Sequence, residues 1–575
     1  MARINLEIDG KVVLVEEGTT ILEAAKSVGI NIPTLCYFKD LTDIGACRIC
    51  LVEIEGQPRL NAACNTLCED GIVVHTNSPR VRKAREINLK LILSKHDGFC
   101  PACTRNGNCK LQDLAREFNI YTEPYDRTIT KTNWDINLPL IRREGKCIMC
   151  MRCVEVCDKI QGVNVWDLIG TGSHSRIGVR DGGTLTEAGC VLCGQCVTHC
   201  PVGALHARDD TDRLFDAIED PNKVVIAQVA PAVRSAWGEG IGLYPELATE
   251  KRMAAAMRKL GVDYVFDTNF TADLTIMEEG SEFIERMTNP GKYKMPMFTS
   301  CCPGWVRFVK LHYPELVNNL STAKSPQQMF GAVAKSYFAE KIGKKPEDIF
   351  CVSIMPCMAK KFECDVPEVN DASDKDVDLV ITTREFDRMI TTLQIDASKL
   401  QEEEFDSPLG TGTGAAVIFG ATGGVMEAAL RSAYFLITGE NVDEDAFQEV
   451  RGLWGYRDAK FKAGDVEVRV AIASGLANAR ALIEEIKAGR AEYDFVEVMA
   501  CPGGCAGGGG QPIKDGEELA GVRKERLYKL DKDNKLRRSH ENPDVQKMYE
   551  EYFEKPLSEK SHKLLHTKQE DWTIQ

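Results

Sequence analysis

The chain has 575 residues, 43% of them hydrophobic, and a formal charge of −15 from 71 basic and 86 acidic side chains. That length predicts about three to five domains, each able to bury a core, and the acidic balance excludes a general nucleic-acid binder, which needs basic surface. No stretch reaches the ~18 apolar residues of a membrane span, and the first residues alternate instead of forming an apolar leader, so a cytoplasmic protein is expected.

Ile4–Asp9 and Lys11–Glu16 read as two strands turning at Gly10, and Thr19 is placed to cap a helix over Ile21–Val28 that Gly29 closes. The chain has 23 cysteines, an odd number, and in a reducing compartment they point to metal and not to a disulfide framework. Cys36, Cys47, Cys50 and Cys64 come first, as C-x10-C-x2-C-x13-C. Four thiolates with one close pair suit a [2Fe–2S] rhomb, in which each iron takes two sulfurs; zinc on the same thiolates is the alternative. Cys68 reads as a spare buried thiol. Ser78 and Pro79 give good start chemistry to a helix through Val81–Ser94. That helix delivers His96, Cys100, Cys103 and Cys109, a cubane set one thiolate short that an imidazole can complete.

Cys147, Cys150, Cys153, Cys157 and Cys190, Cys193, Cys196, Cys200 repeat C-x2-C-x2-C-x3-C, the pattern of bacterial two-cluster ferredoxins. In that pattern the fourth cysteine of each run serves the other cluster. Cys147, Cys150, Cys153 and Cys200 are therefore expected on one [4Fe–4S], and Cys157, Cys190, Cys193 and Cys196 on another.

From Val224 apolar runs alternate with amphipathic helices, an α/β reading. Candidate strands are Val224–Val229, Tyr264–Asp267, Pro296–Thr299, Phe350–Met355, Val377–Thr382, Val466–Ala473 and Phe495–Met499. Three of them end just before Thr299-Ser-Cys-Cys-Pro-Gly-Trp305, Met355-Pro-Cys-Met-Ala-Lys-Lys361 and Cys501-Pro-Gly-Gly-Cys505. Ligands gather beyond the carboxyl ends of strands in open α/β sheets, so Cys302, Cys357 and Cys501 can converge. Gly410–Gly414 reads as a glycine-rich turn and not a dinucleotide loop. Cys351 and Cys364 fit no ligand slot and read as structural.

These three segments, in this order, resemble the signatures of the iron-only ([FeFe]) hydrogenases. The front half resembles the large iron–sulfur subunit of respiratory complex I, whose [2Fe–2S] spacing departs from the plant-type one. The segment Lys547–Phe553 resembles the family's small-subunit region. The resemblance implies a multidomain α+β and α/β chain with four parts. They are a β-grasp [2Fe–2S] module (1–78), a one-histidine, three-cysteine [4Fe–4S] module (79–138), a two-[4Fe–4S] ferredoxin module (139–212) and a large α/β catalytic domain (213–575).

By the same resemblance Cys302, Cys357, Cys501 and Cys505 hold a cubane. Cys505 bridges it to a two-iron subsite carrying carbon monoxide, cyanide and an azadithiolate, the whole forming the H-cluster. Lys360 donates to a cyanide, and Met355 and Met499 pack around the diiron unit. Cys301, Glu279, Ser321 and Glu282 resemble the family's proton relay; by position alone the two glutamates read as solvated helix residues. The implied reaction is 2H⁺ + 2e⁻ ⇌ H2. The implied partners are ferredoxin or NADH-oxidising flavoprotein and iron–sulfur subunits, with maturation proteins for the diiron site. Arg80–Arg85 offers a basic face that can steer an acidic ferredoxin. The alternative is a noncatalytic iron–sulfur carrier or hydrogen-sensing subunit, which would lack Lys360, the Cys-Cys-Pro segment or the relay residues.

Overall fold

A computed structural model describes residues 2–122, 125–129, 133–569 and 572. The first strands, β1 (Arg3–Ile8) and β2 (Lys11–Glu16), pair antiparallel through Ile8↔Lys11. Asp9 and Gly10 both take positive φ, 48° and 81°, the requirement of a two-residue hairpin that follows strand twist. With β3 (Leu51–Ile54), β4 (Asn61–Ala62) and β5 (Val73–His75) they form a sheet of order β2-β1-β5-β3-β4. The helix Ile21–Ser27 is capped by Thr20 and not by the expected Thr19. The hydroxyl of Thr20 accepts from Glu23 N at 3.3 Å, whereas Thr19 donates to the Glu16 carbonyl at 2.7 Å. A cap must reach the third helical N–H, and only the residue just before Ile21 can.

Ser78 caps Pro79–Ser94 as the sequence predicts, its oxygen accepting from Val81 N. Arg85, expected on a basic docking face, is instead buried and donates to the Leu51 carbonyl at 2.6 Å. Arg80 pairs with Glu53, so much of that face is already spent inside the chain.

The repeat region adds two antiparallel pairs, β6 (Leu140–Arg142) with β9 (Leu205–Ala207), and β7 (Trp166–Ile169) with β8 (Arg176–Val179). Arg152, only 1% exposed, donates to the carbonyls of Leu35, Cys36 and Tyr37 and pairs with Asp515 at 2.7 Å. One apolar core runs through Leu35 and Phe38, Leu89 and Leu111, Val156 and Val197, and then Trp305 and Val498. Segments separable in sequence therefore share a single interior.

The C-terminal half holds two four-stranded sheets. The first is parallel, in order β11-β10-β13-β14: β10 (Val224–Val229), β11 (Tyr264–Asp267), β13 (Ile349–Met355) and β14 (Leu379–Thr382). The second has order β12-β17-β16-β15: β12 (Met297–Phe298), β15 (Gly455–Ala463), β16 (Val466–Ser474) and β17 (Phe495–Met499). The expected strands are all present, three with the bounds expected and the others with ends moved by one or two residues. β15 is the one missed. It is a half-exposed edge strand, antiparallel to β16, whose charged residues Arg457, Asp458, Lys460 and Lys462 mask the alternation.

Directly after β11 the helix Thr268–Thr288 begins, with the Asp267 side chain accepting from Asn269 N. It is buried along nearly all its length, acidic residues included. Glu279 and Glu282, read by position as solvated, are 1% and 7% exposed. Neighbouring helices Pro326–Val333 and Gly424–Thr438 pack against it, and a stripe through Ser281, Glu285 and Thr288 near its C-terminal end reaches water. Among the described residues no helix is long and apolar enough to cross a membrane.

Candidate active site

The repeated cysteine runs build two small hollows of about 20 Å³ each. Cys147, Cys150, Cys153 and Cys200 line one; Cys157, Cys190, Cys193 and Cys196 line the other. Each hollow thus takes three thiols from one run and the last from the other. The backbone curls identically in both halves: Met149 and Met151 have φ of 53° and 65°, Leu192 and Gly194 of 57° and 78°. For non-glycine residues this conformation is uncommon and strained. It turns Met149 N toward Cys147 Sγ and Leu192 N toward Cys190 Sγ, both at 3.4 Å. Burial pushes the Cys147 thiol up to about 11 and those of Cys150 and Cys190 up to about 12. Such thiols ionise only beside a strong positive centre, which suits metal.

Cys36 and Cys47 form one touching pair, Cys50 and Cys64 another. A hydrogen bond from Cys36 draws Cys47 down to about 6, and one from Cys64 lowers Cys50. The donors Cys36 and Cys64 are correspondingly raised. His96 is 6% exposed, with Nδ1 3.0 Å from the Lys146 carbonyl. That bond places the proton on Nδ1 and leaves Nε2 as a free lone pair. Burial, and then the charge of Lys146, holds its pKa down at about 4, so the ring is neutral. In the same segment Cys103 and Cys109 are close enough to interact electrostatically. Among the described residues no three His, Cys, Asp or Glu side chains close on a single-ion site.

The principal site lies where the carboxyl ends of β10, β11, β12, β13 and β17 meet. A cavity of about 80 Å³ is lined there by Cys301, Cys302, Cys357, Cys501 and Cys505, with Met355, Met499 and Lys360. Strands of both sheets point into it, so the seam between the sheets is the site. Glycine makes the approach possible. A Cβ on Gly508 would stand 2.2 Å from the Pro356 carbonyl oxygen, and one on Gly504 would be 2.7 Å from Thr422 N. The loop carrying Cys501 and Cys505 is thereby pressed onto the loop carrying Cys357. Burial raises all the thiols, Cys357 to about 12. Thiolate donors, a largely apolar wall and backbone in close approach fit an iron–sulfur group.

Lys360 is the cation in this cavity. Its Nζ donates to the Cys301 carbonyl at 3.1 Å and pairs with Glu363 at 2.7 Å. Burial alone would lower its pKa, but Glu363 offsets that and leaves it raised. Glu363 also accepts from Ser325 and Gln327. Sequence reading missed it, although its position three residues after Lys360 on one short helix was the available signal.

Behind Cys301 runs a buried polar line. Burial, then the Glu279 carboxylate, raises the Cys301 thiol far above its ordinary value. Glu279 itself is held up at about 8 by burial and next by Glu282. Neither of its oxygens makes a well-formed hydrogen bond, but Ser321 and the Ser300 N–H approach it closely enough to check the rise. Ser321 donates to Glu282 at 2.9 Å, Thr322 N donates to it at 3.0 Å, and Arg286 closes the line at 2.5 Å. Arg286 was also missed; its spacing of four from Glu282 was the signal. All the residues expected at the catalytic centre are therefore brought to one cavity or to this line.

Residues 223–509 match the family described as "Iron only hydrogenase large subunit, C-terminal domain", and 517–571 match "Iron hydrogenase small subunit". Residues 1–79 match a 2Fe-2S iron-sulfur cluster binding domain. Residues 85–124 match the NADH-ubiquinone oxidoreductase-G iron-sulfur binding region, and 139–206 match the ferredoxin-like domain of NADH-quinone oxidoreductase subunit 3. The chain is 48% identical to NADP-reducing hydrogenase subunit HndD of Solidesulfovibrio fructosivorans, over 99% of each. It is 40% identical to iron hydrogenase 1 of Clostridium pasteurianum, over 96% of this chain and 97% of that one. A solved structure of a variant of [FeFe]-hydrogenase HydA1 from Chlamydomonas reinhardtii superposes with a TM-score of 0.55 at 43% identity. It covers 62% of this chain and 98% of its own.

Proposed function

The chain belongs to the iron-only hydrogenases and acts on hydrogen, and on that premise we propose how its residues divide the work. Cys302, Cys357, Cys501 and Cys505 would hold a [4Fe–4S] cubane, and Cys505 would also hold a diiron subsite bearing carbon monoxide, cyanide and an azadithiolate. When bound, that group supplies the iron at which H2 is split or made.

The chain's own contributions are four. Lys360, held charged by Glu363, donates a charge-assisted hydrogen bond into the dry cavity. Met355 and Met499 fill its wall and exclude water. Cys301 passes protons to Glu279, and Ser321 and Glu282 carry them on, with Arg286 holding Glu282 in place. Glu279, raised to about 8, is the group of the line placed to exchange a proton near neutrality. The carrying observation is the joining of the cavity thiols to this single buried line.

Cys36, Cys47, Cys50 and Cys64 would hold one [2Fe–2S], His96, Cys100, Cys103 and Cys109 one [4Fe–4S], and the crossed sets of the repeat two more [4Fe–4S]; such clusters would supply electron transfer. We read these as a β-grasp module (1–78), a one-histidine, three-cysteine module (79–138) and a two-cluster module (139–212), ahead of a catalytic domain over 213–575. The electron partner is ferredoxin or an NAD(P)-linked flavoprotein subunit, in the cytoplasm. A noncatalytic carrier or sensor is not favoured, because relatives over nearly the whole chain are hydrogenases.

Infrared spectroscopy of protein loaded by maturation proteins tests the assignment. Cys505→Ala should lose the carbon monoxide and cyanide bands while keeping the accessory clusters by EPR. Normal bands in that variant would refute the bridging role.

A further inference from the structure

A separate cavity, of about 860 Å³, opens between the loop around Cys103, the residues after β9, the helix Thr383–Thr392 and the segment Pro512–Lys514. Of the thiols assigned to clusters only Cys103 touches it, so it is not a cluster hollow. Its volume falls within the range of small-ligand sites, roughly 300–1,000 Å³.

Its wall is strongly basic in a chain that is acidic overall. Arg523 and Arg526 share Glu239, and Arg388 is matched by Asp209. Glu385 is committed to Lys361 and to the Thr382 cap. Asp387 is committed to the N–H groups of Gly238 and Gly240. Among the described residues that leaves Arg105, Arg143 and Arg384 in no ion pair, although Glu385 lies near enough to Arg384 to offset part of the cost of its burial. Arg384 donates only to the carbonyls of Gln511 and Gly509, at 2.5 and 2.7 Å. Arg105 is 7% exposed, and its Nε and Nη2 have no hydrogen-bond partner. Burial pushes Arg384 down to about 9; the charge of Glu385 offsets part of this, and those of Arg105, Arg388 and Arg523 add to it. One further group is unmet: His206 gives Nδ1–H to the Ala207 carbonyl at 2.8 Å and has a buried, unpartnered Nε2.

Buried guanidinium groups without counter-charges are costly, and their forked N–H geometry matches phosphate oxygens. We propose that this cavity binds a small multivalent phosphate anion, of pyrophosphate to mononucleotide size. Arg105 and Arg384 take phosphate oxygens, and His206 Nε2 accepts from a hydroxyl or amino group of the ligand. Charge already matched by Glu239 and Asp209 frames the mouth.

Equilibrium dialysis of the full cluster-loaded chain with sodium pyrophosphate, and separately with ADP, tests this. Saturable one-to-one binding of pyrophosphate with a Kd below about 1 mM, weakening as KCl is raised, is expected. Tighter ADP than pyrophosphate identifies a nucleotide as the source; the reverse order identifies inorganic phosphate. Reversing the mouth with Arg388→Glu and Arg526→Glu together, and separately Arg105→Gln, should each weaken binding roughly tenfold or more. Iron content should hold in the double variant. Absence of saturable binding at millimolar pyrophosphate overturns the proposal, as does binding unchanged by both substitutions. Iron loss in Arg105→Gln with pyrophosphate binding intact also overturns it, because the guanidinium would then serve the cluster loop.

Discussion

The Sγ of Cys501 lies 3.9 Å from the carbonyl oxygen of Cys193, so a thiol of the catalytic cavity touches the backbone of an accessory hollow. The contact is kept by Gly194 and Gly509, whose backbones lie against each other: a Cβ on Gly194 would stand 2.9 Å from Gly509 Cα.

Gly194→Ala tests how much depends on that approach. The position has φ of 78° and the new methyl also meets Met358 at 3.2 Å, so a loss of about 1–3 kcal/mol is expected. Hydrogen production driven through an external electron donor should fall more than the infrared bands of the diiron site do. Equal wild-type rates and melting temperature would show that the backbones can part without cost.

Cys301→Ser should keep cluster content and infrared bands but slow turnover about a hundredfold to ten-thousandfold, the usual size of a lost proton transfer. A hydroxyl of the same shape is a far weaker acid than the thiol. Cys301→Asp should restore part of the rate, because a carboxylate can relay. Iron loss in the serine variant would instead make Cys301 a ligand.

Glu279→Gln has a pH signature. The carboxyl is raised to about 8 from an ordinary 4.5, first by burial and then by Glu282. Between those values the folded protein keeps a proton that the unfolded chain has released. Wild-type stability therefore falls as pH climbs through this window and levels off above it. Glutamine has nothing to release, so its melting temperature should gain on the wild type from pH 5 to pH 9, by on the order of a few kcal/mol in stability. Parallel curves for the two proteins would contradict a buried neutral Glu279. Turnover should drop in the glutamine variant at every pH and recover partly in Glu279→Asp.

Glu363→Gln removes the counter-charge of Lys360 while keeping a polar group in reach of Ser325. Unpairing a buried ion pair costs about 3–5 kcal/mol, reduced here by the amide. We expect a lower melting temperature and shifted cyanide bands, since the ammonium loses its anchor. Adding Lys360→Met should cost less than the two single losses combined; strict additivity would mean that the pair acts as two independent groups.

The grouping of the two repeated cysteine runs was legible in sequence because each run is local: two or three residues separate successive cysteines, and the two runs line a pair of hollows. Strands such as Val224–Val229 were legible for the same reason, as unbroken apolar runs. Glu279 and Glu282 were not. The stretch Glu278-Glu-Gly-Ser-Glu282 looks like a solvated helix face until the surrounding helices cover all three of its glutamates. β15 was hidden by its charged edge residues. The Arg105–Arg384 juxtaposition joins segments nearly three hundred residues apart in the chain, and no local pattern announces such a meeting.

Arg152 holds three backbone carbonyls of the first module with one hand and Asp515 with the other. A carrier on a loose tether would have to swing before each transfer, and its rate would sink in a viscous solvent. Here the tunnelling gap is set during folding, so the hop between modules should ignore viscosity. Cutting away the first module would not simply shorten the conduit. It would strip a buried guanidinium of its acceptors and loosen the segment that follows the catalytic glycine loop.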